Sequence, residues 1–147
     1  MLGAATDAII QGSIVFLLSF IVGIAADIQT YLSCLPIMML ITFGLVSVGL
    51  TLASRMESLE SFGVIQTFVN LPLFFLSGAL FPLTRVPEWL RWVSVVNPLT
   101  YGVDALRIVI LNSSWVPLFP LYYDLLALAT FDAAMILLGT MVFGQRK

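Results

Sequence analysis

The chain has 147 residues, of which 61% are hydrophobic and only 10% are charged, and its mean hydropathy is +1.09. Soluble domains carry about 25% charged residues, so this chain cannot cover itself with polar surface, and we predict a membrane protein. The formal net charge is −2 and the sequence has no basic run, so we do not expect nucleic acid as a partner. Because histidine is absent and Cys34 is the single cysteine, we expect no disulfide, metal site or cofactor, and we expect Cys34 to pack in the core.

Four hydrophobic runs follow one another along the chain, at residues of about 8–26, 31–54, 62–81 and 121–143. A helix rises about 1.5 Å per residue, so runs of about 20 residues match the roughly 30 Å hydrocarbon core of a bilayer. We therefore predict an all-α, polytopic membrane helix bundle with four spans, which forms a single transmembrane domain over residues 1–147.

A few polar side chains lie inside the predicted spans. Gln66 and Asn70 are four residues apart in the third span, and so fall on one helical face. Asp132 lies near the middle of the last span, where an aspartate costs about 2.5–3.5 kcal/mol on insertion scales. It is therefore expected to face the bundle interior or a wet cavity. One reading is that it lines a translocation path or carries a proton. The other, which we favour, is that it is protonated, or bonded to Gln66, Asn70 or a serine on another helix, and only tethers helices.

The segment between the third and fourth spans, residues 82–120, is too apolar for an ordinary loop. Pro87 and Glu88 suit the first turn of a short helix, where a missing N–H is harmless and an acid complements the helix dipole. Asn97 and Pro98 are typical of the N-cap and first residue of a second short helix. We predict two short helices that meet at Asn97.

The same segment contains every tryptophan of the chain, namely Trp89, Trp92 and Trp115. Tryptophan prefers the headgroup level of a bilayer, so we expect an external pair of interfacial or re-entrant helices. Asp104 and Arg107 are three residues apart in the second of these helices, and their spacing predicts an ion pair on one face.

The two basic residues Arg146 and Lys147 close the chain, and the positive-inside rule then places the carboxy-terminus in the cytoplasm. Four spans counted back from there place the turn at Arg55 in the cytoplasm and residues 82–120 outside. The raw count of basic residues is three on each side. We favour this topology because the cytoplasmic ones lie close to the ends of spans.

Enzyme chemistry is not expected. The single lysine is Lys147, so no phosphate-binding loop of the Gly-x-x-x-x-Gly-Lys kind exists in the sequence. The absence of histidine also excludes a Ser-His-Asp or Cys-His pair.

The run from Leu71 to Arg107 closely resembles the signature region of type-2 ABC transporter permeases, the membrane subunits of bacterial and archaeal drug and polysaccharide exporters. The matching motifs are Ser-Gly and Phe-Pro at the end of the third span, then VPEWL, NPLTY and DALR. They occupy residues 77–78, 81–82, 86–90, 97–101 and 104–107. Pro82 is the last residue of the Phe-Pro motif. The drug-resistance branch looks closer than the polysaccharide branch.

The resemblance implies a permease subunit of an ATP-driven exporter in the plasma membrane. Its expected cargo is drug-like, lipid-like or otherwise amphipathic, and Gln66, Asn70 and Asp132 become candidates for the lining of the path. Its expected partners are a separate ABC ATPase subunit, a second permease copy and the lipid bilayer. The re-entrant helices would cap the path on the outside. The cytoplasmic turn would contact the ATPase subunit through Arg55, Glu57 and Glu60.

Permeases of this kind usually have six spans, and the four predicted here correspond to the third through the sixth. We therefore expect that two amino-terminal spans are missing from this chain and that it is the carboxy-terminal part of a permease. The alternative is a truncated or stand-alone four-span membrane scaffold without transport activity.

Overall fold

The structure is a computed structural model, and it describes residues 2–21, 27–54, 56 and 58–144. The described residues form six α-helices and two short 3-10 turns, without a strand. The helices are α1 (Leu2–Ile21), α2 (Ile28–Ala53), α3 (Leu59–Leu76), α4 (Glu88–Val96), α5 (Pro98–Leu111) and α6 (Leu121–Gly144), and the 3-10 turns are Leu83–Arg85 and Asn112–Ser114. The all-α prediction is confirmed for this part of the chain.

Two described helices are long and apolar enough to cross a membrane, Ile28–Ala53 and Leu121–Met141. The pair α4 and α5 would make a third span if its two helices were counted together, but they bend by 93° at their junction. In the described residues, α1 and α3 contribute shorter apolar helices, Thr6–Ser19 and Glu60–Leu76. In the described residues, the second and fourth predicted spans are therefore long and apolar enough to cross a membrane, and the first and third are shorter apolar helices.

The third predicted span ends five residues early because of its own sequence. The run was expected to reach Phe81, but α3 ends at Leu76 with Ser77 as its C-cap. Gly78 follows with φ of +77°, a left-handed conformation that stops a helix and that glycine adopts without strain. A Cβ atom on Gly78 would lie 2.8 Å from Cγ of Leu83, so the side chain of Leu83 fills the space that the glycine leaves.

The core lies where α2, α5 and α6 pack on one another. Gly102 of α5 is essential to this contact, since a Cβ atom there would lie 2.6 Å from a side-chain carbon of Ile41 on α2. Cys34, Ala105 and Leu128 are buried in the same core. The prediction that Cys34 is a packed thiol is confirmed, because it is free and only 3% exposed.

The junction of α4 and α5, which we call the hinge (Asn97 and Pro98), reaches the middle of the bundle. Pro98 and Leu99 share a small cavity with Gly44 of α2 and Asp132 of α6. Asp132 lies eleven residues after the start of α6, or about 16 Å along its axis. The hairpin formed by α4 and α5 therefore has its 93° bend inside the bundle, as a re-entrant element or a broken span does.

Candidate functional site

The first turn of α5 is fixed by the residue that the sequence predicted as its cap. The Oδ1 atom of Asn97 accepts a hydrogen bond from the backbone N–H of Leu99 at 3.0 Å, and Pro98 is the first helical residue. The Nδ2 atom of Asn97 donates to the backbone carbonyl of Leu73 on α3 at 2.7 Å. Asn97 thus caps α5 and also joins the hinge to α3.

The next polar side chains of α5 bond to the end of α4. The Oγ1 atom of Thr100 donates to the carbonyl of Ser94, and the hydroxyl of Tyr101 donates to the carbonyl of Val95, both at 2.7 Å. The last carbonyls of a helix lack the usual partner within that helix, and α5 supplies a hydroxyl donor to each of these two, in addition to the N–H that Asn97 donates to Ser94. The bonds hold the two helices at their near-perpendicular angle.

One turn further along α5, Asp104 is 2% exposed and accepts three hydrogen bonds. The donors are Nε1 of Trp115 at 2.8 Å and the backbone N–H groups of Leu118 and Phe119 at 2.8 and 3.2 Å. All three belong to the connection between α5 and α6. The carboxylate of Asp104 therefore fixes this connection on the hairpin.

Arg107 does not form the predicted ion pair with Asp104, and this prediction was wrong. Its guanidinium donates to the backbone carbonyl of Ala79 at 2.9 Å and lies 4.7 Å from the ring centroid of Trp115. The two residues do share a face of α5, as their spacing requires, but both of them engage Trp115. Its indole offers an N–H to Asp104 and a π-face to the cation.

The remaining motif residues lie at the surface of the hairpin. Pro82 is exposed and precedes the 3-10 turn, where Leu83 is 3% exposed and anchors the turn. Pro87 is the N-cap of α4, and Glu88 is its first residue and is exposed. The predicted helix start at these two residues is confirmed.

Gln66 and Asn70 lie on α3 and line an open groove of about 470 Å³ together with Gly63, Thr67, Leu71 and Phe74. Nε2 of Gln66 faces α2, 3.8 Å from the position that a Cβ atom of Gly49 would take. Asn70 is exposed. Among the described residues, neither side chain has a hydrogen-bond partner.

Asp132 lies apart from that groove. It is 6% exposed and packs so closely on α2 that a Cβ atom on Gly44 would lie 2.5 Å from its Oδ1. Its cavity of about 10 Å³ has room for about one water molecule and is otherwise apolar. In the described part of the chain its Oδ1 has no hydrogen-bond partner. The structure thus forms neither the tether to Gln66 or Asn70 nor a site shared with them.

Asp124, a second carboxylate inside the bundle, was not predicted from the sequence. It is 0% exposed, and both of its oxygens lack a partner among the described residues. It lies in the first turn of α6, where an acid is common because it complements the helix dipole. The spacing was the available signal, since Asp124, Leu128 and Asp132 are four residues apart and all three are buried.

The predicted contact with an ATPase subunit falls mostly on undescribed residues. Arg55 and Glu57 lie outside the described part of the chain, as do Arg146 and Lys147, on which the topology was based. Glu60 is exposed in the first turn of α3, which Ser58 caps by accepting from the N–H of Ser61 at 3.2 Å.

Comparison with known proteins gives a consistent result. Residues 1–111 match the model of the ABC-2 type transporter family. The chain is similar to nodulation protein J of Rhizobium meliloti strain 1021, with 28% identity over 97% of this chain and 53% of the relative. It is also similar to the putative transport permease ycf38 of Porphyra purpurea, with 33% identity over 54% of this chain and 27% of the relative.

The corresponding putative transport permease ycf38 of Cyanophora paradoxa is 36% identical over 52% of this chain and 26% of the relative. The chain thus spans between about a quarter and about half of the length of these curated relatives.

Proposed function

Since the chain belongs to the ABC-2 type transporter family, we propose that it forms part of the permease subunit of an ATP-driven exporter. The observation that carries this proposal is the hairpin, whose hinge is bonded to α3 through Asn97 and lies beside the middle of α2 and α6. A re-entrant element of this kind narrows the space beside the spans from one side of the membrane. It therefore suits a protein that must let a molecule pass without leaving an open pore.

In the proposed arrangement, α1, α2, α3 and α6 are the four spans and the hairpin enters from outside. The described part of α3 has 18 residues, or about 27 Å, which is close to the thickness of the hydrocarbon core. The parallel course of α2 and α6 agrees with this order, because Gly44 lies beside Asp132 and Gly139 lies beside Thr51. The carboxy-terminus would then face the cytoplasm of a cell whose plasma membrane holds the protein.

The groove on α3 is the proposed lining of the path. Gln66 and Asn70 have no partner within the described chain, and a polar side chain left in lipid is costly. A path that they line is therefore wet or is shared with an amphipathic cargo. Leu71 and Phe74 in the same groove supply apolar surface for the rest of such a molecule.

Asp132 has a different proposed part in the path. It lies in a water-sized cavity that Pro98 and Leu99 help to enclose. We propose that Asp132 meets the path only when the hinge moves away from α6. The carboxylate would then become hydrated at the moment of opening, which would favour the open state.

The energy for this movement would come from a separate ABC ATPase subunit, and a second permease copy would complete the path. The proposed contact is the turn that contains Arg55 and Glu57 and ends at Glu60, which is exposed at the start of α3. A displacement of this turn would be transmitted along α3 to Leu73, whose carbonyl holds the hinge through Asn97.

The test is reconstitution of the full-length protein in liposomes with ABC ATPase subunits of its source cell, and measurement of export of a fluorescent amphipathic dye. We expect export that needs both subunits and ATP. A matched control variant, Thr130→Val, alters an exposed hydroxyl of α6 that bonds only to its own helix, and should export normally. If no ATPase subunit binds the protein or supports export, the protein is a membrane scaffold and the proposal fails.

A further inference from the structure

A cleft runs along α4 on the side that faces the connection into α6. Its α4 wall consists of residues at positions i, i+3, i+4 and i+7, which is one face of a helix. The cleft encloses about 290 Å³ and is lined by Glu88, Arg91, Trp92, Val95, Leu83, Leu118 and Phe119. It is separate from the groove on α3 and from the cavity at the hinge.

The cleft face of α4 differs from its other faces. Ser94 of α4 is fully buried. Trp89 and Val96 point away from the protein and are 68% and 83% exposed. Trp92 is 73% exposed, as much as Trp89, but it lines the cleft and Trp89 does not. The chain therefore provides two comparable tryptophans on one helix, of which only one touches the cleft.

Charge and apolar surface are separated along the cleft. Glu88 and Arg91 occupy the amino-terminal part of α4, and Trp92 and Val95 follow toward the hinge. Within the described part of the chain, neither the side chain of Glu88 nor that of Arg91 has an ion-pair or hydrogen-bond partner, although the two are three residues apart. Two opposite charges thus remain available side by side, next to aromatic surface.

The position of the cleft relative to the bilayer follows from its second wall, which lies beside the start of α6. Phe119 stacks on Tyr123 of α6 with ring centroids 5.3 Å apart, so the cleft lies beside the start of α6. Tyr122 and Tyr123 are 67% and 48% exposed there. Tyrosines at the start of an apolar helix favour the headgroup layer of a bilayer. The molecules that surround the cleft are then phospholipids.

We propose that this cleft binds one zwitterionic phospholipid by its headgroup. The guanidinium of Arg91 would hold the phosphate, because its planar set of N–H donors matches phosphate oxygens. The carboxylate of Glu88 would hold the ammonium group, and Trp92 and Phe119 would pack against the first part of an acyl chain. The site is independent of the cargo and of the proposed export, since it rests on the cleft alone.

The experiment is native mass spectrometry of the full-length protein in detergent, titrated with phosphatidylethanolamine. Arg91→Gln and Trp92→Ala should each weaken binding by about tenfold or more, as expected for the loss of charge-assisted hydrogen bonds or of a large aromatic contact. Arg85→Gln and Trp89→Ala are the matched controls, because Arg85 is exposed in the 3-10 turn before α4, Trp89 is exposed on α4, and neither lines the cleft. The controls should bind within about twofold of the original protein.

A second variant tests the role assigned to the carboxylate. Glu88→Gln keeps the phosphate contact and removes the partner of the ammonium, so it should lower the preference for phosphatidylethanolamine over phosphatidylglycerol. The proposal is overturned if the two controls weaken binding as much as the cleft variants, because lipid would then coat α4 without a site. It is also overturned if Trp92→Ala separates a dimer while lipid affinity stays unchanged, since a second copy would then fill the cleft.

Discussion

Helices α3 and α5 both carry polar side chains into an apolar bundle, and they use them in opposite ways. On α5, Asn97, Asp104 and Arg107 all bond to other segments of this chain. On α3, Gln66 and Asn70 line an open groove and have no partner among the described residues. A polar group in an apolar medium stabilises a fold only when it is hydrogen-bonded. We therefore infer that α5 holds the fold, and we propose that α3 contacts something outside it.

The largest expected effect is on Asp104. Asp104→Leu would leave the donors of Trp115, Leu118 and Phe119 without their acceptor in a buried place, and we expect a loss of about 3–5 kcal/mol in the free energy of unfolding. The measurement is the thermal transition of the purified protein in detergent. Asp104→Asn keeps an acceptor oxygen and should lose less. If Asp104→Leu unfolds at the same temperature as the wild-type protein, the inference that α5 holds the fold is contradicted.

Arg107 should show a smaller loss. Arg107→Met removes the hydrogen bond to the carbonyl of Ala79 and the cation above Trp115, while the apolar stem of the side chain is largely retained. We expect a loss of about 1–3 kcal/mol in the same unfolding measurement. Arg85→Met is the control, because Arg85 is exposed in the 3-10 turn, and it should leave the transition unchanged. Equal losses in both variants would mean that charge alone, and not these contacts, sets stability.

Asp124 tests whether burial or hydrogen bonding decides how a polar residue affects the free energy of unfolding. It is as buried as Asp104, but both of its oxygens lack a partner in the described chain. Asp124→Ala removes an unsatisfied polar group without overpacking a fully buried site, and alanine favours a helix, so we expect the free energy of unfolding to rise by about 1 kcal/mol. A loss as large as that of Asp104→Leu would show that Asp124 has a partner which the comparison overlooks.

The smallest expected effect on stability is on α3. Gln66→Leu and Asn70→Leu break no hydrogen bond in the described chain, so the unfolding free energy should change by less than about 0.5 kcal/mol. Export by the reconstituted protein should nevertheless fall, because the wet side of the proposed path is lost. Thr130→Val is again the control, as Thr130 lies outside the groove and its hydroxyl bonds only to carbonyls of α6. Unchanged export in both variants would contradict the assignment of α3.

Local signals in the sequence predicted the helix starts of the hairpin well. Asn97 followed by Pro98 specifies an N-cap and a first helical turn through the chemistry of those two residues alone, and Pro87 with Glu88 does the same for α4. The burial of Cys34 followed from its apolar surroundings. These features need only neighbouring residues, which is why a single sequence was enough.

Features that depend on distant residues were not predicted. The spacing of Asp104 and Arg107 shows that they share a helical face, but it cannot show that Trp115 engages both of them. The end of α3 at Leu76 was missed because the apolar run continues past Gly78, whose left-handed conformation is recognisable only once Leu83 is seen to pack beside it. The spacing of Gln66 and Asn70 likewise shows that they share a helical face, but it cannot show whether that face meets the core.

The most direct test of this account measures stability and export together for two variants, Asp104→Asn and Asn70→Leu, in the reconstituted full-length protein. The account predicts that Asp104→Asn lowers the thermal transition while export per folded molecule is retained. It predicts that Asn70→Leu keeps the transition and lowers export. The opposite assignment, with Asn70→Leu unfolding the protein and Asp104→Asn stopping export at normal stability, would contradict the account.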